Sequence, residues 1–155
     1  MKKTDLIAQH LTDVHLGNNW TSVAIADTIH DIDWKEAFAP VPFSVNTIAS
    51  LLNHIAYWNG IVAERGRGLM PVIAVHNGFD VPEAAPEHWE TLKTALFRSA
   101  QDLAAVIRGF DEEKLDAPVL PEHSSAYKNF QGQVEHAHYH LGQIVMIKKY
   151  LRSVD

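Results

Sequence analysis

The chain has 155 residues, about one domain's worth, and 46% of them are hydrophobic, enough for it to bury a core of its own. Its 13 Lys and Arg stand against 19 Asp and Glu, a formal net charge of −6 with no basic cluster, which argues against a nucleic-acid partner. Cysteine is absent, so disulfides, thiolate ligands and cysteine nucleophiles are excluded together, and the 10 histidines become the ligand type to follow.

Met1-Lys2-Lys3 begins like a leader, but Asp5, Gln9 and His10 interrupt the apolar stretch a signal peptide needs. No run approaches the ~20 apolar residues of a membrane span, so a cytoplasmic address with no membrane partner is expected. In chain order, Leu6, Ile7, His10, Leu11, Val14 and His15 recur at helical spacing and predict a helix from Thr4, its N-cap, to about Leu16. Gly17-Asn18-Asn19 breaks it, and Val23, Ala24, Ile25 and Ile29 predict a second helix from Thr21 to about His30. The connector Ala39-Pro40-Val41-Pro42-Phe43 cannot continue a helix, and Ser44 is the expected cap of the next one, Val45 to about Glu64. That helix carries Ile48, Leu51, Leu52, Ile55, Trp58, Ile61 and Val62 on one side and stops at Arg65-Gly66-Arg67-Gly68.

Leu69–Pro86 holds three prolines and no period, and reads as a long excursion of the kind that forms part of a pocket rim. A helix from Pro86 or Glu87 to Arg108 follows, with Trp89, Leu92, Leu96, Leu103, Val106 and Ile107 on its apolar side. A polar connector then covers Asp111 to about Ser124. The last helix is expected from about Ser125 to Arg152, with Phe130, Val134, Ala137, Leu141, Ile144, Val145, Ile147 and Leu151 facing inward. No segment alternates with a period of two, so residues 1–155 are expected to form one all-α domain, a helical bundle.

Residues four apart on a helix differ by only about 40° around the axis, which puts His136 and His140 on one face. The glutamate of an H-E-x-x-H protease helix is missing between them, so a metalloprotease is disfavoured. His54 lies on the stripe of Leu51, Trp58 and Ile61 and is expected to point into the bundle. Three inward histidines from two helices would complete an open, three-ligand site of the catalytic zinc type. The bland alternative is that each is a core histidine satisfied by a hydrogen bond. His138 points the other way, and His10, His15, His30, His76, His88 and His123 have no spacing that ties them to the site.

The run His136-Ala137-His138-Tyr139-His140-Leu141-Gly142-Gln143-Ile144 resembles the H-x-x-Y-H-x-G-Q-I ending of the DinB/YfiT-like metalloenzymes, the DinB superfamily. Phe43 to Trp58, a serine-capped helix that delivers His54 ahead of aromatic Trp58, is similar to that family's second-helix signature, and Gly17-Asn18-Asn19-Trp20 to its glycine–tryptophan loop. The resemblance implies a four-helix bundle with up-down-down-up connectivity, commonly a homodimer. It implies a site of His54, His136 and His140 for a divalent metal, zinc or nickel. Beside that site, Gln143 is a candidate to orient a ligand or to pack the helix, and Trp20 and Trp58 are candidates to line the pocket, with a place in the core as the alternative for both tryptophans. It further implies an S-transferase or isomerase that takes a small-molecule substrate and a low-molecular-weight thiol as cosubstrate. A non-catalytic dimeric bundle with a structural or vestigial metal is the alternative.

Overall fold

In the computed structural model, which describes residues 1–154, the regular structure is helical. Six helices are present among these residues, four of them long: α1 (Lys3–Leu16), α2 (Ile25–Ile29), α3 (Trp34–Phe38), α4 (Ile48–Gly66), α5 (Pro86–Gly109) and α6 (Ala126–Leu151). No strand forms among the described residues, only two isolated bridges, Val41 to Ser44 and Pro118 to Ser125. None of the helices is long and apolar enough to cross a membrane.

The inward stripes read from the sequence make two apolar layers. Val14 of α1, Ile48, Leu51 and Ile55 of α4, Trp89, Leu92 and Leu96 of α5, and Leu141, Ile144 and Ile147 of α6 form the first, closed by Ile25, Ile29 and Ile32. Ile7 and Leu11 of α1, Val62 and Ala63 of α4, Leu103 and Ile107 of α5, and Phe130 and Val134 of α6 form the second. The beginnings of α4 and α5 therefore share one layer and their ends the other. To enter α5, the chain must travel back along α4, whose 19 residues span about 28 Å at 1.5 Å per residue. This return is the physical reason for the long excursion, and it lays Asn77–Asp80 across the outer face of α4.

The structure corrects several boundaries. The first helix begins at Lys3 with Lys2 at the cap position, and Thr4 is buried inside it. The second shrinks to Ile25–Ile29, because Asn19 and Thr21 tie their side chains to the Val23 carbonyl and hold the preceding residues in a turn. The cap of α4 is Thr47, whose hydroxyl accepts from the Ser50 amide while Ser50 Oγ accepts from the Thr47 amide, a reciprocal capping pair. Ser44 instead accepts from the Asn46 amide and closes the turn before it. The short α3, capped by Asp33 and packed on α4 and α5, has no counterpart among the sequence periods, because five residues are too few to display one. Arg152 spans from the end of α6 to Glu36 and Asp31, and Lys148 also reaches Asp31, fastening these short helices to the bundle.

Candidate metal centre

His54 projects from α4, and His136 and His140 from α6, into one partly buried cluster. His136 Nε2 is 2.9 Å from His54 Nε2 and 2.9 Å from His140 Nε2, and one nitrogen from each ring falls within 4.8 Å of the others. The far nitrogen of every ring is engaged. His54 Nδ1–H donates to the Asn77 carbonyl at 2.6 Å, His136 Nδ1–H to Gln133 Oε1 at 3.1 Å, and His140 Nδ1–H to Gln143 Oε1 at 2.6 Å.

These partners fix the tautomers. A backbone carbonyl only accepts, so His54 must carry its proton on Nδ1. Gln133 directs its Nε2 to Asn59 Oδ1 at 2.8 Å, which leaves its oxygen for His136. With all three Nδ1–H groups donating, three Nε2 lone pairs converge with no proton to share, an arrangement that repels itself unless a cation sits among them. Zinc with nitrogens at roughly 2.0–2.1 Å sets neighbouring donors about 3.3 Å apart, a few tenths of an ångström wider than the 2.9 Å from His136 to each of the other two. The donor set therefore fits a divalent ion, and the three histidines could hold one.

Burial keeps the rings neutral. It pushes His136 from the ordinary 6.5 down to about 4, helped by the neighbouring His140 and His54. Burial likewise lowers His54, offset in part by the bond to Asn77, and lowers His140, offset by Gln143. Neutral imidazole is the ligating form.

The walls come from α4 and the returning strap. Phe79 stacks on His54, with ring centroids 3.8 Å apart and planes 8° from parallel. Trp58 meets His54 and His136 edge-on, and its indole N–H donates to Asn77 Oδ1 at 3.1 Å. Asn53 holds the strap by donating to the Gly78 and Asp80 carbonyls. Gly78 is required there: its φ is +79°, and a Cβ would stand 2.5 Å from Cβ of Tyr57. Beyond Trp58 the cluster opens into a concavity of about 370 Å³ lined by Arg65, Lys128, Asn129 and Ser124 among others.

A second group of polar residues runs from this cluster through the core. Gln133 donates to Asn59, Asn59 Nδ2 lies 3.1 Å from Ser99 Oγ and 3.3 Å from His15 Nε2, and His15 Nδ1–H donates to the Leu11 carbonyl at 2.8 Å. His15, Asn59 and Gln133 are all fully buried, and the chain joins α1, α4, α5 and α6. Leu11 fixes the tautomer of His15, which orients the Asn59 amide, which orients Gln133 toward His136.

His15 also makes stability depend on pH. Burial lowers it from 6.5 to about 4, beyond what its bond to Leu11 restores. As pH falls below 6.5 the unfolded chain takes up a proton that the folded one refuses, so stability is complete above 6.5 and declines toward 4. For a fully buried group this window is worth about 3 kcal/mol. Denaturant melts of the metal-free protein at pH 7 and pH 4.5 should therefore differ less, by about that amount, in His15→Gln than in the unmodified chain; equal pH dependence of the two would contradict this role for His15.

Of the residues singled out from sequence, His54, His136, His140, Gln143 and Trp58 come together. Trp20 does not join them. It is fully exposed and shares a different concavity with His10, Asp13 and His138, because the short turn after Gly17 leaves it outside the bundle. His138 turns away and bonds the Val134 carbonyl. Asn77, Phe79, Asn59, Gln133 and His15 carry the site's support and were not picked out by spacing.

A helical bundle in which two long helices bring three neutral imidazoles to one point defines a class: helical proteins with a histidine centre fit for a divalent metal. This chain belongs to the DinB superfamily, a metal-binding superfamily, whose family model matches residues 21–144, a span that contains all three histidines. No curated protein and no solved structure matches it.

Proposed function

We propose that the protein is a divalent-metal-dependent enzyme, the ion held by His54, His136 and His140, that uses a low-molecular-weight thiol to transfer or isomerise a small-molecule substrate. The observation that carries this reading is the convergence of three Nε2 lone pairs whose Nδ1–H groups are already committed to Asn77, Gln133 and Gln143. A divalent ion bound there supplies Lewis acidity, which lowers the pKa of a thiol or water it coordinates.

The chain's own residues do the rest. Gln133, Gln143 and the Asn77 carbonyl hold the rings in register, as partners of metal-ligating histidines do. Phe79 and Trp58 keep water from two sides of His54. The concavity beyond Trp58 gives a small molecule its way in. With no cysteine in the sequence, a sulfur nucleophile must arrive on a second molecule. A homodimer in the cytoplasm belongs to the same reading through the family resemblance.

The test is elemental analysis of protein purified without a polyhistidine tag, followed by assay of the loaded protein with bacillithiol, glutathione and coenzyme A against a panel of electrophiles. One divalent ion per chain and transfer with at least one thiol are expected. Stoichiometric metal with no transfer to any electrophile favours a structural metal in a non-catalytic bundle, and no metal at all overturns the reading.

A further inference from the structure

The concavity beside the histidines is electrostatically one-sided. Arg65 and Lys128 line it together with Trp58, Asn129, Ser124 and His136, and no aspartate or glutamate does. Neither cation makes an ion pair among the described residues, although the other bridging cations of the fold, Lys148 and Arg152, have theirs. Arg65 donates through one terminal nitrogen to Asn129 Oδ1 at 3.1 Å, and its Nε is buried with no hydrogen-bond partner.

A cation in the last turn of a helix can serve the helix dipole, and that use needs only an exposed side chain. Arg65 is half-buried instead, with its guanidinium carbon 5.6 Å from the ring centre of Trp58, and burial pushes its pKa down. A partly desolvated guanidinium with unused donors lacks a counter-anion. The Trp58 ring is in turn 6.2 Å from that of His136. The guanidinium carbon is thus no farther from the His136 ring centre than those two steps laid end to end, within the length of an extended small molecule.

We infer that Arg65 and Lys128 form an anion subsite that anchors a carboxylate or similar oxyanion of the small molecule whose reacting end is turned toward His54, His136 and His140. This rests on the metal-centre reading for the second half of the statement and is independent of it for the first. Asn129 sets the guanidinium plane, and Trp58 carries its face, leaving the outer edge for a paired contact with two oxygens. Lys128 adds a movable second charge at the mouth.

The probes are hexanoate and hexanol, equal in length and different in charge, with binding followed by the amide and indole signals of Trp58 in nitrogen-15-labelled protein, both metal-free and zinc-loaded. Hexanoate is expected to bind about tenfold more tightly than hexanol in both forms. That preference should fall to near unity in Arg65→Gln and to an intermediate value in Lys128→Gln, whose exposed side chain can be changed without affecting folding. No preference in the metal-free protein overturns the subsite. A preference that appears only with zinc and survives Arg65→Gln places the carboxylate on the ion, which overturns the subsite while supporting the metal centre. If the protein takes up no zinc, the metal reading fails and the metal-free comparison alone decides the subsite.

Discussion

Replacing His136 by alanine is expected to abolish stoichiometric metal binding while leaving the metal-free protein folded. His136 is the residue whose Nε2 lies 2.9 Å from the Nε2 of both other rings, so its loss removes the donor that links the remaining two. Losing an outer hydrogen-bond partner of a metal-ligating histidine costs about 10–100-fold in affinity, and losing one of only three protein ligands should cost more than that. The stability signature is equally direct. At a metal concentration of about 1,000 times the dissociation constant, binding to the folded state alone adds roughly 4 kcal/mol. Chemical denaturation with and without zinc should show that increment in the unmodified chain and none in His136→Ala. The ring is only partly buried, and its removal relieves a cluster of facing lone pairs, so the metal-free melts should stay close. Retained metal, or an unchanged zinc-dependent shift, would show that the histidines are core residues that merely touch.

The helices and the three histidines could be read in advance because each signal is local or periodic. His136 and His140 share a face through four-residue spacing, and His54 sits on a stripe with Trp58, Ile61 and Leu51, the last of which the core layer uses. The supporting residues could not be read this way. Asn77 and Phe79 belong to a segment with no period, and they meet His54 only because α5 begins beside the start of α4 and the chain must return past it. Asn59, Gln133 and His15 are separated by 44 and 74 residues, and each alone looks like an ordinary polar interruption of an apolar face. Their value lies in pairing, which spacing does not report. Trp20 failed for the opposite reason: a sequence pattern pointed to it, while backbone turns at Gly17–Ser22 set its direction, with Asn18 and Ser22 in left-handed conformations.

The arrangement divides the labour between a rigid floor and an adaptable wall. Two ligands stand on α6, deep in helix–helix contact, and take their orientation from glutamines one turn away on the same helix. The third stands on α4 and takes its orientation from the strap, whose position depends on Asn53, Tyr57 and Gly78. Changes in the strap should therefore alter His54 and leave His136 and His140 in place.

The largest effect on folding is expected at Asn59, which links α4 to α5 and α6 and reaches His15 of α1. Asn59→Leu keeps the heavy-atom branching and removes every polar contact, leaving Gln133 Nε2 and His15 Nε2 buried without partners and Ser99 Oγ without its donor. A buried polar group stripped of its partner costs about 1–3 kcal/mol, and several in one network should lower stability by roughly 3–5 kcal/mol. The same change frees the Gln133 amide to turn its nitrogen toward His136, where it would oppose the Nδ1–H instead of accepting it, and metal affinity should fall by about 10–100-fold. Denaturant melts of the metal-free chain measure the first effect and competition against a chelator the second. If the single variant fails to fold, Asn59→Leu combined with His15→Leu and Gln133→Leu removes the stranded groups along with their partner, and should be less destabilised than the separate losses added together. Additive losses would mean that these residues are packed independently, and that the core chain from Leu11 to His136 does not act as a unit.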